Sequence, residues 1–327
     1  MVEFWAFALA LSILLYVLLD GFDLGVGMLF PFARGEEERR RMLASISPVW
    51  DGNETWLIIS AATLFSAFPP VFAIVLSAFY IPLFVMLAGL ILRGVAFEFR
   101  YKATRSRPLW DAGFVAGSYA AAFVQGAAVG AIVEGLPIEN GVFVGNGMSW
   151  VSPFAIFCGI GLCIGYALLG ACWIARKSGG SLRTFGFAAL PKLMAALLAF
   201  LVVVFAWSLA IRLPVLARWT ERPLLLVCPL IGLAAFAVLA QAVRSRDDRF
   251  LFLGGAAIFL AAFATLAGSF LPYMLPFSLT IWEAASPTTS LAFLFWGAGI
   301  FVLPLTLAYT LIVYFVFRGK VVGERSY

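Results

Sequence analysis

The chain has 327 residues, 63% of them hydrophobic and only 12% charged, with a net charge of +5. A soluble domain is nearer one-quarter charged and interrupts its apolar runs sooner, so the composition excludes a soluble enzyme. There is no histidine, which removes the commonest haem and copper ligand and the usual proton shuttle.

The apolar runs repeatedly exceed the roughly 20 residues that cross a bilayer as helix. They define about nine spans, at roughly 4–32, 48–69, 71–100, 111–135, 152–175, 187–212, 223–244, 250–271 and 288–317. The predicted fold is an all-α integral membrane protein, one polytopic domain over 1–327. Two four-helix groups plus one peripheral helix would fit that count. The first span is not a cleavable signal peptide, because it lacks a basic leading region, is too long and carries two aspartates.

That span contains Asp20-Gly21-Phe22-Asp23-Leu24-Gly25-Val26-Gly27. Asp20 and Asp23 share a helical face, and Gly21 and Gly25 let another helix approach closely. A charge inside a membrane is costly, so such residues face protein or water and mark function. Glu36, Glu37 and Glu38 beside Arg39, Arg40 and Arg41 read as a solvated turn. Ser47-Pro48 then reads as an N-cap with proline at the first helical position. It opens a span that begins Trp50-Asp51-Gly52-Asn53-Glu54-Thr55-Trp56. Asp51 suits the positive end of that helix in any case.

Pro69-Pro70 separates the second span from the third, and Pro82 and Pro304 predict kinks inside spans. Arg93 and Glu98 lie near the inner rim of the third span, where Glu98 has Arg93, Arg100 or Lys102 as candidate partners. Asp111 reads as the N-cap of the fourth span, and Ser152-Pro153 and Ser286-Pro287 as further caps. The Gly141/Gly145/Gly147 spacing is no dinucleotide fingerprint, since no strand precedes it. Cys158, Cys163, Cys172 and Cys228 lack metal-ligand spacing and read as packing residues. Trp5 and Trp282, at span ends, read as interface anchors, while Trp50 and Trp56 read as packed within the bundle.

Loop charge sets the orientation. Arg34, Arg39–Arg41, Arg100, Lys102, Arg105, Arg107, Arg176, Lys177, Arg183, Lys192, Arg244, Arg246, Arg249, Arg318, Lys320 and Arg325 fall at one end of the spans; only Arg212, Arg218 and Arg222 fall at the other. The positive-inside rule puts the N-terminus outside and the C-terminus in the cytoplasm. Asp23 then lies roughly 15 Å above the cytoplasmic end, with Asp20 one turn deeper. Asp20, Asp23, Asp51, Glu54 and Glu98 are thereby expected to converge on one leaflet, a chain of carboxylates able to lead a proton or small cation inward.

At this point the residues resemble a family. DGFDLGVGML, PVWDGNETWL, LRGVAFEFR and LTIWEAASP resemble, in order and across essentially the whole chain, subunit II of the cytochrome bd quinol oxidases. The short connection between the sixth and seventh spans resembles the cyanide-insensitive branch. The resemblance implies a haem-free subunit of the aerobic respiratory chain, in an obligate heterodimer with a subunit I that carries two haem b and one haem d. The complex oxidises quinol and reduces dioxygen to water. It further implies a proton pathway through Asp20, Asp23, Asp51 and Glu98, with Glu54 and Arg93 as accessory groups, and an oxygen route beside Trp56. Some members add small single-span subunits, and some bind a structural quinone in this subunit, of which these residues give no sign. No nucleic acid is implied. Two positions depart from the family: Val49 stands where many members have histidine, and Glu54 replaces a neutral residue. The competing class is a self-sufficient proton- or cation-coupled secondary transporter, for which inverted repeats would be expected.

Overall fold

Lipid offers the backbone no hydrogen-bond partners, so an apolar run of this length must close its bonds internally as helix. The computed structural model describes residues 1–211 and 215–321, with backbone alone at 215–217. Arg212, Arg325 and part of the short sixth-to-seventh connection lie outside the described residues.

The helices are α1 (Val2–Leu29), α2 (Glu36–Ile46), α3 (Trp50–Ala67), α4 (Pro69–Ala78), α5 (Tyr80–Lys102), α6 (Arg107–Glu134) and α7 (Pro153–Lys177). They continue with α8 (Gly180–Ala210), α9 (Val215–Glu221), α10 (Val227–Ser245), α11 (Leu251–Phe270), α12 (Thr288–Leu294) and α13 (Ile300–Val316). Among the described residues, eight helical spans are long and apolar enough to cross a membrane, and α3 with α4, bent by 120°, makes a ninth if the pair counts as one span. Two antiparallel hairpins occupy the loops at the end opposite the basic residues: β1 (Ile138–Glu139) with β2 (Val142–Phe143), and β3 (Tyr273–Leu275) with β4 (Leu279–Thr280).

Several local expectations are corrected. The acidic and basic run after α1 is not a turn but the start of α2, which buries Met42, Leu43 and Ile46. Ser47 therefore closes α2, and Val49 precedes α3 without a side-chain cap. Pro69 starts α4 as expected, but α4 stops at Ala78, so the run 71–100 is two helices divided at Phe79. Pro82 sits in the first turn of α5, where a missing N–H costs nothing, and does not kink it. Pro304 does lie inside α13, which a π-helical turn at Phe295–Gly299 precedes. Asp111 is one turn inside α6 rather than its cap. Ser152 does cap α7, accepting from the Ala155 amide at 2.9 Å. Ser286 instead donates to the Ser66 carbonyl at 2.9 Å. Trp5 is no surface anchor: it is 3% exposed and donates to the Leu291 carbonyl at 3.1 Å. Trp282 is exposed and donates to Glu3 at 2.9 Å.

Helix α1 is central. At Gly25 it touches α7 backbone to backbone, and an added Cβ there would lie 1.9 Å from the Tyr166 carbonyl oxygen. Beside this crossing, Phe22 stacks on Trp173 with centroids 4.1 Å apart. Helix α13 buries no residue of its own. Polar contacts tie it in: Trp56 Nε1 donates to Thr310 at 3.3 Å and Tyr314 to Asn53 at 2.9 Å.

The basic residues also join helices. Arg100 is 2% exposed and grips Glu36 with two N–H groups, at 2.9 and 3.2 Å, while its Nε donates to Asp111. Arg39 reaches Asp111 at 2.8 Å. This network clamps α2, α5 and α6 beneath the end of α1. Partial burial opposes ionisation of Glu36, but hydrogen bonds from Arg100 and Arg40 and the charges of Arg100 and Arg107 outweigh it and hold the carboxyl below its usual range.

Two tests follow from this packing. Gly25→Val should separate α1 from α7 and abolish the yield of folded protein, whereas Gly179→Ala, with nothing within 4 Å, should leave it unchanged; monodispersity on size-exclusion chromatography reads both. The depressed Glu36 carboxyl contributes stability that is complete at neutral pH and lost as pH falls below about 4. Glu36→Gln should therefore lower the melting temperature at neutral pH and converge with wild type in acid.

Candidate functional site

Every functional side chain singled out on α1 points into the protein. Asp20 and Asp23 are fully buried, and their three-residue spacing puts both on the face that meets α3 and α5. From α5, Arg93 brings Nη1 to 3.4 Å from Asp20 Oδ1, with both side chains all but sealed from solvent. Arg93 also lies over the Phe114 ring of α6, 5.8 Å from its centroid. From α3, Asn53 donates to Asp23 Oδ2 at 2.7 Å and to the Leu19 carbonyl at 3.2 Å. Its own carbonyl oxygen accepts from Tyr314 of α13. The Leu19 carbonyl can only accept, so the Asn53 N–H₂ faces it and Asp23, and the Asn53 oxygen is left to accept from Tyr314.

A second polar string meets the same face of α1 one turn earlier. Tyr166 of α7 donates to Gln125 Oε1 at 2.8 Å, and Gln125 Nε2 donates to the Tyr16 hydroxyl at 2.8 Å. Tyr16 lies one turn before Asp20 on α1. Gly21 makes room for the Tyr166 ring, which an added Cβ would meet at 2.6 Å.

Two carboxylates, one guanidinium, three tyrosines and two amides thus meet inside a bundle of otherwise apolar helices. Asp20 Oδ2, Asp23 Oδ1 and Arg93 Nε and Nη2 are buried without a protein partner. Atoms of this kind are paired in nearly all native structures.

The five acids are not gathered into one cluster. Glu54 is half-buried and interacts electrostatically with Asp20, Arg93 and Asp51. Asp51, one turn earlier on α3, is exposed, and so is Glu98 on α5. Arg93 pairs with Asp20, and Arg100 with Glu36 and Asp111, so neither is the partner of Glu98. Trp56 is fully buried beside α13, and Val49 is buried near the basic end. Asn53, Gln125, Tyr16, Tyr166 and Tyr314 were not singled out in the sequence. The signal for the first two was present, since each is an amide inside a membrane span. The tyrosines carry no such mark. Among the described residues, no three His, Cys, Asp or Glu side chains are grouped to hold a metal ion.

Fold and site together define a multi-pass membrane subunit that shelters charge within its own helices. The family model for cytochrome bd terminal oxidase subunit II matches residues 1–317. The cytochrome bd-I ubiquinol oxidase subunit 2 of Escherichia coli K12 is 29% identical, over 98% of this chain and 95% of that protein. A probable cytochrome oxidase subunit 2 of Haemophilus influenzae is 32% identical, over 92% and 90%. The cytochrome bd ubiquinol oxidase subunit 2 of Bacillus subtilis is 29% identical, over 98% and 96%. The fold matches a chain of the bd oxidase from Geobacillus thermodenitrificans with a TM-score of 0.78 at 16% identity, covering 97% of this chain and 98% of that one. The chain belongs to the cytochrome bd terminal oxidase subunit II family. It is a multi-pass subunit of a respiratory oxidase of the bacterial cell membrane, a complex that contains haem and a subunit I, and the secondary-transporter alternative falls away.

Removing Arg93 should leave Asp20 as an uncompensated buried charge, at a cost of about 3–5 kcal/mol. The double variant Asp20→Asn/Arg93→Leu should recover most of that loss. Thermal unfolding of the two variants and of Asp20→Asn alone completes the cycle.

Proposed function

We propose that this chain is the haem-free subunit of a cytochrome bd-type quinol:dioxygen oxidoreductase. It is not catalytic alone; it holds the haem-bearing subunit I in shape and contributes to proton delivery from the cytoplasm. The absence of histidine supports the haem-free assignment, because the residues present do not fit the common axial ligand sets. The basic end is assigned to the cytoplasm on the charge of its loops. Quinol oxidation and the two haem b and one haem d of subunit I are carried over from the family resemblance.

One observation carries the proton reading: exposure falls to zero along a line of acids. Asp51 is exposed, Glu54 is half-buried, and Asp20 and Asp23 are sealed. A proton enters at Asp51 on the outer face of α3, with Glu98 gathering protons at the rim of α5. It passes by way of Glu54 to the buried pair, where Arg93 steadies Asp20. With Val49 in place of histidine, carboxylates and water carry the step that an imidazole would otherwise take. Trp56, buried beside α13, is retained as a wall of the oxygen route.

The test is turnover per haem in assembled complex. Asp23→Asn and Asp51→Asn should each slow quinol oxidation at least about tenfold, with haem content near wild type. Glu54→Gln should fall between these and Glu98→Gln, which water replaces more readily. If both aspartate variants keep full turnover and proton uptake, the acids are structural; if a variant fails to assemble, an Asp→Glu substitution at the same position takes its place. The separated chain should carry no stoichiometric haem, which its visible absorption spectrum checks directly.

A further inference from the structure

A cavity of about 130 Å³ opens at the basic end, where the C-terminal ends of α2, α7 and α13 meet the N-terminal ends of α3 and α11. Its polar wall is Ser45, Arg176, Lys177, Tyr314 and Arg318, and among the described residues no carboxylate lines it. Trp173 and Phe252 supply aromatic surface beside the cations.

The charges in this wall are unbalanced. Lys177 is 6% exposed. Its ammonium donates to the Phe317 and Gly319 carbonyls and lies 4.9 Å from the Trp173 ring centroid. An ammonium has three N–H groups, so one has no acceptor among the described residues. Arg176 has no hydrogen-bond acceptor or ion-pair partner among the described residues. Arg318 lies over the Phe315 ring, 4.5 Å from its centroid, and has no ion pair among the described residues. Asp248, one of the acids at this end, is already engaged by Arg183 at 2.7 Å and Lys320 at 2.5 Å.

A helix C-terminus favours a nearby cation, and the positive-inside rule supplies basic residues at this level. Neither accounts for the arrangement. Both explain solvated side chains such as the exposed Arg318, but not a buried ammonium with a half-buried arginine beside it on the wall of one cavity. Burying a cation without a counter-ion costs several kcal/mol, and like charges side by side add to that cost. An anion in the cavity removes both penalties. The volume exceeds the roughly 10–15 Å³ that a single water needs, so a tetrahedral oxyanion has room. The site lies at the height of lipid headgroups, where basic pockets between membrane helices take anionic lipids.

We propose that this cavity binds a phosphate group held by Arg176, Lys177 and Arg318, the phosphodiester of an anionic phospholipid or a free phosphate. The aromatic wall suits the glycerol stem of a lipid better than a bare ion. The occupant would also touch the wall shared with Tyr314, whose hydroxyl orients Asn53 against Asp23. Cavity and buried acids are therefore one side chain apart, although this proposal does not depend on the proton path.

The experiment uses the assembled complex, delipidated and placed in nanodiscs of phosphatidylcholine. Phosphatidylglycerol or inorganic phosphate is titrated in, and binding is followed by native mass spectrometry and thermal stability. Wild type should retain phosphatidylglycerol, and Arg176→Gln/Arg318→Gln should weaken that retention about tenfold or more, as the loss of charged hydrogen bonds predicts. Protection by inorganic phosphate that is equal, and equally lost in the variant, supports the site and assigns it to free phosphate. If neither anion distinguishes wild type from variant, the cavity holds water only and the proposal is overturned. Should the double variant not assemble, wild type decides: no stabilisation by either anion beyond that of matched chloride overturns it.

Discussion

One constraint governs this molecule: a carboxylate carried into the bilayer interior must find its positive partner inside the same protein. Asp20 finds Arg93, and the three helices that supply or cover the pair are fixed relative to one another as a result. Such a pair is poor evidence for stability, because desolvation cancels most of the attraction. What it supplies is geometry. Helix α5 cannot rotate without stranding Arg93, and α1 cannot slide without stranding Asp20. The close approach at Gly25 fixes the opposite side of α1 against α7. The first helix is therefore located by a charge on one side and by bare backbone on the other.

Asp23 is held differently. It receives a neutral amide, aimed by a hydroxyl from α13, and has no ion pair among the described residues. Two aspartates one turn apart thus occupy unlike settings: one is anchored by a cation, the other is held by neutral dipoles.

Much of this was legible in the sequence. Lipid forces helix, so most spans followed from run length, and the glycines of α1 foretold the close approach of another helix, which is α7. What escaped was amphipathic or long-range. Helix α2 carries six consecutive charged residues, Glu36 to Arg41, which mask the stripe of Met42, Leu43 and Ile46 that follows. Helix α4 is as apolar as the helix that follows it, so only the break at Phe79 shows that the run 71–100 is two pieces. The Asn140-Gly141 pair is a strong hairpin signal and sits at positive φ between β1 and β2. The acidic residues of the site were visible one by one. Their grouping was not, because helical spacing says which residues share a face but not what that face meets. Asp51 and Glu98 accordingly lie on the exterior while Tyr314, in a different span, completes the interior.

The contact between Asn53 and Tyr314 joins residues 261 positions apart. A chain enters the membrane in order of synthesis, and its early segments fold before later ones exist. While α3 is already in place beside α1, the side chain that aims the Asn53 amide has yet to be translated. The polar centre thus passes through an interval in which Asp23 is buried among incomplete partners. A chain interrupted before α13 retains that flaw permanently, so the last contact to form is what distinguishes the polar centre of a finished copy from that of a fragment.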